Sequence, residues 1–180
     1  MQNNLITPNL VDRLKGVVTF KAPVYKAIAE DTTATNNSAI IVIVVSVIVG
    51  IVNGAISGSL IGGLITQVLA GVVGWAFSSW LTAFVAKKFF SGDTNTGEML
   101  RVFGHSYIFQ LVGIIPVIGP IIGSVLQAIG NFFGVREAAG VDNTKAIIIV
   151  IVAAVAALII GVVLAAIAAA IGFGAGALRR

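Results

Sequence analysis

The chain has 180 residues, of which 58% are hydrophobic and 10% are charged. Ordinary soluble domains carry about 25% charged residues, so this composition excludes a typical soluble domain. The net charge of +4 comes from 11 Lys and Arg residues, most of which flank apolar segments as topology signals do, so a nucleic-acid-binding surface is not expected. There is no cysteine, which excludes a disulfide, a thiolate nucleophile and a cysteine metal site.

Three long runs contain no charged side chain. They cover residues 32–86, 102–135 and 146–178. Each Asp, Lys or Arg at the centre of a membrane helix costs roughly 2.5 to 3.5 kcal/mol to insert, so their absence predicts an all-α polytopic membrane protein. The first long apolar run begins near Ala39, too far from Met1 for a cleaved signal peptide, and none is expected.

The N-terminal segment, residues 1–38, is predicted to be a cytoplasmic amphipathic unit ahead of a membrane domain at 39–180. Leu10, Leu14 and Val17 recur at helical spacing, with charged residues between them. This pattern is typical of a helix lying in the headgroup plane, although a peripheral helix that packs on the protein's own loops fits equally well. Pro23 is expected to begin a second short helix.

The charge-free runs predict five membrane segments. Residues 32–86 are too long for one span, so we expect helices at 39–57 and 63–86 with a glycine-rich turn between them. Residues 102–135 divide at the Pro116–Pro120 turn into two short arms of about 22 Å, which fit either tilted full spans or a re-entrant hairpin. Asn95 and Glu98 suggest a capping box ahead of the third segment, and Asp142 or Asn143 is expected to cap the last helix.

The basic residues predict an orientation. Nine of the 11 lie in the N-terminal segment and in the loops at 87–101 and 135–145. The positive-inside rule places these parts in the cytoplasm and the C-terminus on the opposite side.

Glycines at four-residue spacing are candidates for close helix packing: Gly50, Gly54, Gly58, Gly119, Gly123, Gly130 and Gly134. Such a stripe lets another backbone approach, either within this chain or across a dimer or partner seam. Gln67, Gln110, Gln127 and Asn131 are the deepest polar side chains, and we expect hydrogen bonds between helices there rather than a substrate path. The single histidine, His105, is expected to be hydrogen-bonded near the cytoplasmic face, with a proton-linked role as the alternative.

Three stretches resemble the Yip1-domain family in its prokaryotic form, in the expected order along nearly the whole chain. They are LVDRLKGVVTFKAPVYKAIAED, FFSGDTNTGEMLRVFGHS and NFFGVREAAGVDNTKAI. The family is similar in having five membrane segments and a cytoplasmic N-terminus. The resemblance implies a non-catalytic protein of a prokaryotic cytoplasmic membrane that acts through partners or the bilayer. The Asp-Leu-Tyr-Gly-Pro motif of eukaryotic members, which are associated with Rab-type GTPases, is absent, so Rab binding is not implied.

Three functions remain open. The first is a scaffold or adaptor that contacts partners or membrane lipids on its cytoplasmic face, and the second is an accessory subunit of a larger, for example bioenergetic, membrane complex. The third is a small transporter or channel, against which the lack of charge inside any predicted span argues. No catalytic motif is present, so neither an enzyme nor a cofactor is expected, and a homo-oligomer is possible. The candidate contact residues are Arg13, Lys15, Lys21, Lys87, Lys88, Phe89, Phe90, Glu98, Arg101, Arg136 and Glu137.

Overall fold

The computed structural model describes the backbone of residues 9–177 and the side chains of residues 9–159 and Val162. Over this part the chain is all-helical and contains no strand. The elements in chain order are α1 (Leu10–Val18), α2 (Ala22–Glu30), α3 (Ala34–Ile56), α4 (Leu60–Phe90), α5 (Thr96–Ser106), the 3₁₀ helix η1 (Tyr107–Ile114), α6 (Gly119–Ala139) and α7 (Asn143–Ala177).

The two short N-terminal helices pack against the rest of the protein. The side chain of Asn9 caps α1 by accepting from the backbone N–H of Asp12 at 3.0 Å, and a proline lies in the first turn of α2. Val17, Tyr25 and Ile28 are completely buried in a core shared with α5 and α6. The predicted packing of these helices on their own protein is therefore confirmed, and the headgroup arrangement, which is compatible with it, stays a prediction.

Two helices, α3 and α4, are long and apolar enough to cross a membrane by length and composition. With 23 and 31 residues, they extend about 35 and 46 Å. The observed turn contains residues 57–59 and is shorter than the predicted one at 58–62. The first helix begins at Ala34, so the predicted division between 38 and 39 falls inside it.

Glycines bring α3 and α4 into backbone contact. A methyl group added at Gly63 would lie 2.5 Å from the Cα atom of Gly54, and one added at Gly50 would lie 3.0 Å from the Cα atom of Leu64. Only glycine allows this approach. A methyl group added at Gly58, by contrast, would meet no atom within 4 Å, and Gly58 has a φ of +72°. Gly58 therefore allows the backbone conformation of the turn and takes no part in helix packing.

The chain from α5 to α6 forms a second helical hairpin. The Asn95–Glu98 capping box is present, but the third segment changes to a 3₁₀ helix at Tyr107, which was not predicted. Both arms are longer than expected. From 1.5 Å per α residue and 2.0 Å per 3₁₀ residue, α5 with η1 and α6 each extend about 32 Å. Part of the length of α6 arises because it continues to Ala139, through much of the predicted loop at 135–145.

Small residues close this second hairpin as well. The glycines at 119, 123, 130 and 134 all face η1 or α5, as an added methyl would meet Val112, Phe109, Ser106 and Val102 respectively. The last helix, α7, begins where Asp142 accepts from the backbone N–H of Lys145 at 2.9 Å. Its buried residues Ala146, Ile149 and Ala153 lie on a helix that packs against α4 and α6.

Candidate functional site

Two of the predicted contact residues are buried and hold the N-terminal helices in place. Arg13 is 5% exposed and Arg101 is 7% exposed, so neither is available on the surface. Arg13 forms a salt bridge with Asp31. Arg101, 72 residues from its partner, donates from Nε to the backbone carbonyl of Ala29 at 2.8 Å, and its Nη2 donates to the same oxygen. A guanidinium group at the carbonyl end of α2 also complements the helix dipole.

The ion pair at Asp31 is reinforced by the start of the next helix. The hydroxyl and the backbone N–H of Thr33 donate to the carboxylate at 2.7 and 2.9 Å. These donors, chiefly the hydroxyl, together with Arg13, lower the pKa of Asp31 to about 2. The carboxylate is therefore charged throughout the physiological range.

His105 is part of the same buried region. Its Nδ1 atom lies 2.9 Å from the hydroxyl of Ser38 and 2.9 Å from the carbonyl of Arg101, and Ser38 donates to that carbonyl at 2.8 Å. The histidine thus joins α3 to α5, as expected for a hydrogen-bonded residue. Sequence reasoning missed this cluster; the four-residue spacing of Arg101 and His105 on one helix was its only visible signal.

The exposed candidate residues concentrate at the C-terminal end of α4. Trp80, Phe84 and Phe89 are 51%, 47% and 67% exposed, and their rings lie in sequence, with centroids 6.0 and 6.2 Å apart. Lys87 and Lys88 are exposed beside them. We call these five residues the α4 ladder. A groove of about 390 Å³ runs between the ladder and the start of α5, where Asn95 and Thr96 line it.

The remaining candidates divide into two groups. Lys15 and Lys21 are exposed on the N-terminal helices, whereas Phe90 packs against the core. Two acidic residues are already engaged, because Glu98 closes the capping box and Glu137 pairs with Arg136 at 2.8 Å. The guanidinium of Arg136 also lies over the ring of a neighbouring phenylalanine, 4.9 Å from its centroid.

The family model for the Yip1 domain matches residues 15–166, from α1 into α7. The chain belongs to the Yip1 domain family. Yip1 domain proteins are membrane proteins and are generally not enzymes. No match to this chain was found among curated proteins or among solved structures.

Several side chains of this Yip1 domain are exposed and accessible to a contact. Within residues whose side chains the structure describes, no group of three or more metal-ligating side chains lies together. The basic residues inside the fold, Arg13 and Arg101, are occupied in tying α1 and α2 to the helices beneath them. The α4 ladder is therefore the best candidate for an external contact in this Yip1 domain protein.

Proposed function

We propose that this protein is a non-catalytic, multi-pass membrane adaptor whose α4 ladder contacts anionic lipid and partner proteins at the cytoplasmic face. The observation that carries the proposal lies at the C-terminal end of α4. There, three exposed aromatic rings lie next to two exposed lysines. Aromatic and basic residues together are typical of the membrane–water interface, with the basic residues on its cytoplasmic side.

The register of α3 against α4 supports a cytoplasmic extension. Gly54 is level with Gly63, and Ser46 is level with Gly71. Because the two helices run in opposite directions, each residue of α3 is level with the α4 residue whose number is 117 minus its own. Continuing this pairing places Ser38, where the polar linker ends, level with residue 79. The last 11 residues of α4 then extend about 16 Å beyond the apolar part of α3. On this basis the α4 ladder lies at and above the headgroups.

Electrostatics favours the same arrangement. A Lys or Arg near an anionic bilayer surface contributes about 1 kcal/mol of attraction, so Lys87 and Lys88 together contribute about 2 kcal/mol. Contacts of this size hold a helix end at the surface but leave it able to exchange lipid for a protein partner. The groove beside the ladder then provides room for an inserted side chain.

We further propose that α3, α4, α5 with η1, α6 and α7 form five spans with the N-terminus in the cytoplasm. Gly104 is level with Ser38, whose Cα atom lies 2.9 Å from a methyl added at Gly104. From Gly104 to Ile114 the chain advances about 19 Å, which brings Ile114 level with about residue 51, in the last third of α3. This favours full spans over a re-entrant hairpin.

The natural absence of cysteine allows a direct topology test. Single cysteines at Lys87, Ser57 and Val117 are introduced in separate chains and labelled in intact cells with a membrane-impermeant maleimide. We expect labelling of Ser57→Cys and Val117→Cys from outside, and of Lys87→Cys only after the cells are opened. Protection of Val117→Cys from the outside, with Ser57→Cys labelled, would show a re-entrant hairpin.

The adaptor function is tested by comparing matched variants. A photo-reactive residue at Phe89 is expected to crosslink to lipid and to a distinct protein, and Lys87→Glu with Lys88→Glu is expected to remove both products. Lys15→Glu with Lys21→Glu is the control for a general loss of positive charge. Identical products from all variants would refute a role for the ladder. A stoichiometric complex that purifies intact with the ladder variant would instead identify an accessory subunit.

A further inference from the structure

A second feature, independent of the α4 ladder, is a cavity between the long helices. Its larger part has a volume of about 670 Å³ and lies between α4, α5 with η1, α6 and α7. An adjoining part of about 250 Å³ continues toward α7. The two parts share walls at Ser78, Phe103, Gln110, Gln127, Asn131 and Ala157. The larger part is within the size range of sites that bind small molecules.

The cavity has a clear origin in the sequence. Gly74 leaves one wall without a side chain, and the opposite wall is alanine-rich, with Ala153, Ala154 and Ala157 on α7. At Gly54 small residues bring two backbones together, but a methyl added at Gly74 would meet nothing within 4 Å. Here the small residues leave open space instead of closing a seam.

The chemistry of the walls selects an uncharged occupant. No charged side chain lines either part among the described residues, and an ionised headgroup buried without a partner would be strongly disfavoured. The amide of Gln110 donates to that of Gln127, and the Tyr107 hydroxyl lies 3.4 Å from that of Ser46. The Oδ1 atom of Asn131 is buried and accepts no hydrogen bond from the described part of the chain. A buried amide of this kind calls for a donor.

The way into the cavity is from the side. Ala70, Val73 and Gly74 line the larger part and are exposed on the outer surface of α4. They belong to one of the two helices that are long and apolar enough to cross a membrane. By the register above, these residues lie below the level of Ser38, so the opening faces lipid chains and not water. An occupant would enter from the bilayer.

From these observations we infer that the cavity binds one uncharged lipid with a hydroxyl headgroup, of the diacylglycerol class. Its hydroxyl pairs with the amide group of Asn131, a residue that lines both parts of the cavity, and its chain lies along Gly74 and Ala157. A hydroxyl both donates and accepts, so it also suits the paired glutamine amides. Phospholipids carry a charged phosphate that these neutral walls do not match. Asn131 was expected to form a hydrogen bond between helices. In this proposal it binds the ligand instead.

The test uses Trp75, which lines the cavity. The full chain carrying Trp80→Phe leaves it as the only tryptophan. It is reconstituted in phosphatidylcholine nanodiscs containing either dibrominated dioleoylglycerol or dibrominated phosphatidylcholine at equal mole fraction. We expect diacylglycerol to quench Trp75 fluorescence more strongly and to saturate. Unlabelled dioleoylglycerol is expected to restore the fluorescence by competition.

Variants locate the site. Gly74→Leu fills the open space and is expected to abolish the excess quenching, whereas Gly74→Ala retains it. Asn131→Leu is expected to weaken the apparent affinity roughly tenfold, the effect of one hydrogen bond to a buried amide. Equal quenching by the two brominated lipids in the chain that carries Trp80→Phe alone overturns the proposal. Excess quenching that survives Gly74→Leu overturns it as well. So does stronger quenching by brominated phosphatidic acid. The competition experiment decides the matter even if the leucine variants do not fold.

Discussion

The close backbone approach between α3 and α4 predicts how two glycines on one helix will differ. In Gly63→Ala, the new methyl lies 2.5 Å from the Cα atom and 2.8 Å from the nitrogen of Gly54. Carbon atoms prefer a separation of about 3.5–4.0 Å, so α4 must move away from α3 by about 1 Å. Overpacking of this kind costs about 1–3 kcal/mol, and both sides of the contact are backbone, which no rotamer change can relieve.

Gly74→Ala is the matched control in the same helix. Its methyl meets no atom within 4 Å, so only the gain in helix propensity remains, about 0.5–1 kcal/mol. Because that gain applies at both sites, we expect Gly63→Ala to be less stable than Gly74→Ala by about 1–3 kcal/mol. Circular dichroism of the purified chains during unfolding in mixed micelles measures the difference. Equal stabilities within about 0.5 kcal/mol would refute an internal seam. Loss of an oligomer without loss of stability would instead place the seam between chains.

Three further predictions follow from the buried network and the strained turn. Arg101→Met removes both hydrogen bonds to the carbonyl of Ala29, worth about 1.5–3 kcal/mol, and is expected to raise the rate of tryptic cleavage in the α1–α2 segment roughly 10- to 100-fold. The lowered pKa of Asp31 means that its ion pair with Arg13 stabilises the fold above about pH 4 and is lost as the pH falls through about 2; Asp31→Asn should therefore flatten the dependence of stability on pH in that window. Val117 is β-branched with a φ of +69° and is 84% exposed, so Val117→Gly should stabilise the protein by about 1–2 kcal/mol in thermal unfolding.

Matched changes elsewhere control for these effects. Lys145→Met removes a cation from α7, which packs against α4 and α6, and should leave the tryptic cleavage rate in the α1–α2 segment unchanged. Asp12→Asn removes an exposed carboxylate 3.7 Å from Lys15 and is the control for the loss of one negative charge in Asp31→Asn. Gly58→Val, at a φ of +72° with open space around it, should lower stability by about 1–2 kcal/mol. A cleavage rate unaffected by Arg101→Met would mean that the hydrogen bonds do not hold α2 in place.

Several predictions that depend only on residues three or four apart in the sequence are confirmed. The Asn95–Glu98 capping box and the cap at Asp142 involve residues three apart, so their sequence spacing is enough to predict them. The glycines of α6 were recognisable for the same reason, since residues three and four apart share a face of a helix. Helix ends were less accurate, because α6 continues past Val135 and α3 begins at Ala34.

The candidate site was predictable only in part. Lys87, Lys88 and Phe89 are exposed as a charged helix end suggests. Arg13 and Arg101 have the same residue type as surface contacts, yet both are buried. Nothing near Arg101 in the sequence indicates that a carbonyl 72 positions away will accept its hydrogen bonds.

The sequence by itself determined the class of the protein, because excluding charge from three long runs is a property of composition and needs no partner residue. It also located the capping box at Asn95 and Glu98 and the proline turn ahead of α6. Only the tertiary structure decided that the N-terminal helices lock onto α5 and α6, that Gly58 serves a turn while Gly54 serves a seam, and that Gly74 faces open space. These outcomes depend on which distant backbone lies opposite each residue, and that pairing is set by the packing of whole helices rather than by any local pattern.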